Sequence, residues 1–188
     1  MLRGIEPLVD LVETAIDLGD VEATVDHIKA SLCRMIRTQS LEIPAQVLKP
    51  VDGHYARRLL KRDTERDYSI VAMTWGPCQA TGIHDHAGMW CVEGVWAGSI
   101  NVEQYELTAI DANSNRFRFE KRNSYEAGVG SAGCLIPPYE YHLIGNPCDR
   151  SPAVSIHIYG GEMTSCHVFE EQANGWFERL ERPLGYDQ

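Results

Sequence analysis

The chain changes character at Pro44, and that change constrains its fold more than any other feature. Beyond it, residues fall into short runs of β-branched and aromatic side chains bounded by turn formers: Tyr68–Trp75, Cys91–Trp96, Ile100–Leu107, Phe117–Lys121 and Ala153–Tyr159. Such runs read as strands of an antiparallel barrel or sandwich. Before Pro44 the apolar residues recur at helical spacing, through Leu8, Leu11, Val12, Ala15 and Ile16 and then Val25, Ile28, Leu32 and Ile36. That spacing predicts two short helices. The expected fold class is therefore mainly β, preceded by N-terminal α-helices.

A length of 188 residues is ordinary for one core, and no linker, repeat or low-complexity tract divides the chain. The expectation is a single domain over 1–188, with a helical segment at 1–43, a β-barrel at 44–170 and a C-terminal tail at 171–188. The net charge of -10, without a Lys/Arg-dense run, argues against nucleic acid or an anionic membrane surface as partner. A small molecule is the expected ligand, and a monomer or weak homo-oligomer the expected state. The longest uncharged stretch, roughly Tyr68 to Ile83, is broken by Gly76, Pro77 and Gly82, and falls short of the ~20 residues a spanning helix needs. Six cysteines are scattered without a C-x-x-C pair, and the opening Met1-Leu-Arg-Gly-Ile-Glu lacks a signal-peptide pattern. Both point to a reducing, cytoplasmic setting with free thiols.

His84-Asp85-His86 follows a predicted strand, and residues two apart on extended chain point the same way, so both imidazoles can face one point inside a barrel. Alone, H-x-H is a weak signal. A third histidine, His142, follows the turn-like Pro137-Pro138-Tyr139-Glu140-Tyr141, and an antiparallel barrel can bring it beside the pair. The stretch from His84 to Gly98 resembles the first cupin signature, and Pro137, His142 and Asn146 resemble the second, with Tyr139 where a glycine is usual. The resemblance implies a cupin, a jelly-roll-like antiparallel β-barrel. Where most cupins supply a metal-binding carboxylate, this chain has Cys91. Three neutral imidazoles leave an octahedral divalent ion about three open positions, which suits a chelating anion plus dioxygen. A structural zinc would want a closed tetrahedral shell instead. Glu93 shares a strand face with Cys91, but its spacing is wrong for the signature.

From about Tyr55 to Phe169 the chain resembles the cysteine dioxygenase family of thiol dioxygenases. The resemblance rests on Tyr55-Ala-Arg57, Trp75-Gly76, His84-Asp-His86 with Cys91, His142, Pro152–Tyr159 and Cys166-His-x-Phe169. It implies ferrous iron, Fe(2+), on His84, His86 and His142. It implies a substrate carboxylate on Arg57, a pocket wall at Tyr55, and a Ser155, His157 and Tyr159 chain of outer hydrogen bonds. It also implies a thioether cross-link between Cys91 and Tyr159. Because Ser155, His157 and Tyr159 alternate along a strand, they share one face. The implied reaction converts L-cysteine and dioxygen to cysteine sulfinate, a step of cysteine catabolism.

Met89-Trp-Cys-Val-Glu-Gly-Val-Trp-Ala-Gly98 also has the look of a bacterial branch that oxidises 3-mercaptopropionate. That branch usually carries glutamine where Arg57 stands and lacks the cysteine, so the mixture favours cysteine. Alternatives are 3-mercaptopropionate, mercaptosuccinate or another thiol acid, and, from another class, a non-catalytic ligand-binding cupin. His27, His54 and His167 have no ligand-like spacing, and Cys166 and Trp75 read as packing residues.

Overall fold

The structure, a computed structural model, describes residues 4–188. The opening Met1-Leu-Arg3, part of the stretch read as lacking a signal-peptide pattern, lies outside the described residues. Two helices come first, α1 (Glu6–Ile16) and α2 (Val21–Arg37). Asp20 starts the second, its carboxylate accepting from the Ala23 backbone N–H at 2.8 Å. Eleven strands follow: β1 (Ala56–Asp63), β2 (Tyr68–Trp75), β3 (Ile83–His84), β4 (Cys91–Ala97), β5 (Ser99–Asp111), β6 (Arg116–Gly128), β7 (Ala132–Leu135), β8 (His142–Gly145), β9 (Ala153–Tyr159), β10 (Ser165–Glu171) and β11 (Phe177–Pro183).

Every named strand pair is antiparallel. One sheet runs in the order β1-β2-β9-β4-β7, and in the other β10-β11-β6-β5-β8-β3 closes on itself. This is the two-sheet, jelly-roll architecture of a cupin, with the helices on its outside. The residues from 44 to 55 precede the first barrel strand and hold a short 3₁₀ turn, Ala45–Leu48.

The helices decide which face of the first sheet is interior. Leu8, Val12, Ile28 and Leu32 form one core cluster with Ile70 and Ala72 of β2, Val92 of β4 and Ile156 and Ile158 of β9. The alternate residues Val71, Met73, Trp75, Cys91, Val95 and Tyr159 form a second cluster inside the barrel. β2 is accordingly buried at every position. Gly94 lets α2 lie close: a Cβ there would stand 2.7 Å from Leu32 Cδ2.

The expected tail at 171–188 is corrected by the structure. β11 pairs with β10 from Ser165↔Pro183 to Glu171↔Phe177 and joins β6 at Phe117, so the barrel continues well past residue 170. Its run Phe-Glu-Arg-Leu-Glu-Arg-Pro is almost wholly exposed, so it carries little of the apolar alternation that marks a strand. Phe177 supplies its anchor against Phe119, with ring centroids 5.5 Å apart.

Candidate metal centre

His84 and His142 come together because β3 and β8 pair at those two residues. His86 follows on the loop after β3, where its backbone N–H donates to Glu140 Oε2 at 2.7 Å. One nitrogen from each of the three rings lies within 4.8 Å of the others, and all three side chains are buried. His84 Nε2 and His142 Nε2 are 3.1 Å apart. On the far side of each ring stands an acceptor: the Gly82 carbonyl 3.1 Å from His84 Nδ1, Glu93 Oε1 3.3 Å from His142 Nδ1, and Glu140 Oε2 3.5 Å from His86 Nδ1. Acceptors behind Nδ1 leave Nε2 free to bind a cation, the usual outer arrangement of a histidine metal site. Burial first, then the neighbouring imidazoles, holds His84 well below the ordinary histidine range, in the neutral form a ligand needs. Buried and convergent, the three rings fit a divalent metal ion.

Glu93 is the site residue whose position the spacing argument missed. Burial alone would raise its pKa, but His142, His157 and His86 outweigh that and hold it well below the usual carboxylate range. It does not join the histidine nitrogens as a fourth ligand. Its Oε2 instead stands 3.4 Å from His157 Nδ1, opposite its other contact with His142.

The polar residues of β9 point into the barrel, since the outer face of the strand is covered by the helices. Ser155, His157 and Tyr159 are all buried. Ser155 Oγ lies 2.7 Å from His157 Nε2, and the Trp75 indole N–H donates to Ser155 Oγ at 2.8 Å. Trp75, expected to be only packing, is thus part of the chain. Tyr159 is not joined through His157, whose two ring nitrogens face Ser155 and Glu93; those two rings stack at 6.0 Å. Tyr159 instead lies opposite Cys91, its direct partner across β4 and β9. Burial first raises both the Cys91 thiol and the Tyr159 phenol; the charge of Glu93 adds to it at Cys91, and that of Cys91 at Tyr159.

Arg57 lies on β1 and is buried. Its guanidinium donates to the Gly185 carbonyl at 3.0 Å and the Met163 carbonyl at 3.3 Å, and sits 5.3 Å from the Tyr186 ring centroid. Nε has no partner, and no carboxylate pairs with the guanidinium among the described residues. Arg57 lines a cavity with Tyr55, His84, Tyr159, Cys166 and Arg182, so the expected carboxylate-binding residue and a metal-facing histidine share one space. Tyr55 stacks on Trp75 at 4.6 Å. Cys166, expected as packing, is also on the cavity wall. Of the other histidines, His167 Nδ1 is held by Asp85 at 2.7 Å and His54 Nε2 by Asp187 at 3.0 Å.

The fold and the three-histidine cluster define a cupin with a site built for a metal ion. The chain belongs to the cysteine dioxygenase type I family, whose model matches residues 45–172. It is 22% identical to cysteine dioxygenase type 1 of Rattus norvegicus and 23% identical to that of Homo sapiens, each over 118 residues that cover 63% of this chain and 56% of the relative. The match thus spans little more than half the length of those curated relatives. Among solved structures, a conserved Klebsiella pneumoniae protein with a double-stranded β-helix domain superposes with a TM-score of 0.48 at 15% identity, over 65% of this chain and 85% of its own. No described helix is long and apolar enough to cross a membrane.

Proposed function

We propose that this chain is an iron-dependent thiol dioxygenase that converts L-cysteine and dioxygen to cysteine sulfinate. The observation that carries the substrate is Arg57, a buried cation with carbonyl partners only, in the same cavity as His84. Buried charge of that kind calls for an anion, and a planar guanidinium suits a carboxylate held by two parallel hydrogen bonds. Ferrous iron on His84, His86 and His142 would supply the redox chemistry by which both atoms of dioxygen reach a thiol sulfur.

The protein's own groups then bind and orient. Arg57 takes the substrate carboxylate, and Tyr55, braced on Trp75, walls the same end of the cavity. Tyr159, its phenol raised by burial, keeps its proton at neutral pH and stands as a donor beside the reacting end. A thioether cross-link between Cys91 and Tyr159, with dioxygen as oxidant taking up the two hydrogens lost, is supported by their pairing opposite one another in the β4–β9 ladder. An intact mass lighter by two hydrogens reads that directly. The six free cysteines support a reducing, cytoplasmic setting.

A second reading, a thiol with two carboxylates such as mercaptosuccinate, is favoured by Arg182 on the wall of the same cavity. Oxygen uptake by protein loaded with ferrous iron, measured across a thiol panel, tests both. Cysteine as the best substrate supports the proposal, and mercaptosuccinate as the best transfers it to the second reading. No uptake with any thiol by metal-loaded protein leaves a non-catalytic cupin and overturns the dioxygenase assignment.

A further inference from the structure

The metal-binding carboxylate of the cupin signature has no equivalent at Cys91, yet a largely covered carboxylate, 13% exposed, stands two residues further along the same inner face of β4. Glu93 is the direct partner of His157 across the β4–β9 ladder. Its two oxygens divide between two rings from different strands, Oε1 at 3.3 Å from His142 Nδ1 and Oε2 at 3.4 Å from His157 Nδ1. Neither Nδ1 has a hydrogen-bond partner, and both Glu93 contacts stand at ion-pair distance, so the carboxylate is the polar group that each Nδ1 faces. On its other side Glu93 meets a largely apolar cavity walled by Val95, Ile100, Val102 and Ile144, so no competing cation holds it there.

The hydrogen positions follow from this arrangement. An indole can only donate, so Ser155 Oγ accepts from Trp75 and its own hydrogen is free for His157 Nε2. A carboxylate can only accept, so His157, facing Glu93 through Nδ1, carries its hydrogen there and leaves Nε2 to accept from Ser155. His142, with Nδ1 also towards Glu93, keeps the Nε2 lone pair for the centre, beside His84 Nε2.

We propose that Glu93 is a positioning residue that fixes the tautomers of His142 and His157 and so ties a metal ligand to the Trp75–Ser155–His157 chain. In this chain the signature carboxylate is displaced from the metal's inner shell to the back of a ligand. There it strengthens the ligand and adds one negative charge near the ion without occupying a coordination position. The inference rests on the three-histidine site holding a divalent ion and does not depend on which thiol is oxidised.

Zinc affinity by chelator competition, measured without thiol or dioxygen, tests it on wild type, Glu93→Gln and Glu93→Leu, with thermal melting of the metal-free proteins as the check on folding. The expected result is a loss of about 10–100-fold in zinc affinity for both variants with folding retained. Zinc affinity within about twofold of wild type in both folded variants overturns the proposal. If neither variant folds, nitrogen-resolved NMR of zinc-loaded wild type decides: Nδ1–H on both His142 and His157 supports it, and Nε2–H on either overturns it. A wild type that binds no zinc overturns the metal-site reading as well, whereas zinc binding without thiol oxidation overturns only the dioxygenase assignment.

Discussion

Arg57 is held in place by backbone carbonyls at 3.0 and 3.3 Å and keeps Nε without a partner, so its fixed geometry does not depend on a ligand. Loss of a charge-assisted pair in such a place costs about 1.5–3 kcal/mol. Arg57→Ala is therefore expected to raise the KM for cysteine by about 10–100-fold while changing that for a thiol without a carboxylate little. Equal effects on both thiols in steady-state oxygen uptake would remove Arg57 from its role. The cysteines give a second test. Burial, then the charge of Asp85, pushes the Cys166 thiol up to about 11, so on the order of one in a thousand is ionised at pH 8. Cys78 is exposed, and backbone N–H groups of Arg150 and Ser151 lower the Cys148 thiol. Alkylation mapped by mass spectrometry at pH 8 is expected at Cys78 and Cys148 before Cys166 and Cys91, and early labelling of Cys166 would contradict this. At this scale the gathering of the three histidines and the place of Arg57 beside them were legible from signature and resemblance. Glu93 and Trp75 were not, because their partners, His142 and Ser155, lie 49 and 80 residues away in sequence and meet only in the barrel.

Strands β2 and β9 were legible to the residue, since apolar β-branched runs between turn formers leave few other structures open. Alternation put Ser155, His157 and Tyr159 on one face but could not say which face was interior. That depends on α1 and α2 covering the other one. The contact of α2 with β4 is correspondingly critical: Leu32 is fully buried and rests against Gly94. Leu32→Ala is expected to cost about 2–5 kcal/mol, and Gly94→Ala, which pushes a methyl group into Leu32, about 1–3 kcal/mol. Differential scanning calorimetry should show melting lowered by ~2–4 °C per kcal/mol for a chain of this size. Zinc affinity should hardly change, because the contact between the two residues lies outside the barrel, between α2 and the outer face of β4; a large loss of metal with unchanged melting would contradict this division of labour. β3 and β11 escaped sequence reasoning for opposite reasons. The first is two residues long, and the second is charged at four of its seven positions.

At the scale of the whole molecule, an acidic chain keeps one buried guanidinium facing inward and closes the space around it with the residues that follow β11. Gly185 supplies the carbonyl that holds Arg57, and the Asp187 carboxylate accepts from the Arg57 backbone N–H at 2.8 Å. Removing the residues after Pro183 is expected to raise the KM for cysteine while zinc is retained, since the three histidines are held by Gly82, Glu93 and Glu140 and by no hydrogen bond or ion pair to that segment. Zinc loss on truncation would show instead that the segment stabilises the barrel as a whole. The fate of dioxygen tests most directly whether the three-histidine site and the arginine-walled cavity beside it act together on a thiol. Protein loaded with ferrous iron is given L-cysteine and isotopically labelled dioxygen, and the product is weighed. Cysteine sulfinate carrying both labelled oxygens is the predicted result; cystine, or a sulfinate with oxygen drawn from water, would contradict it.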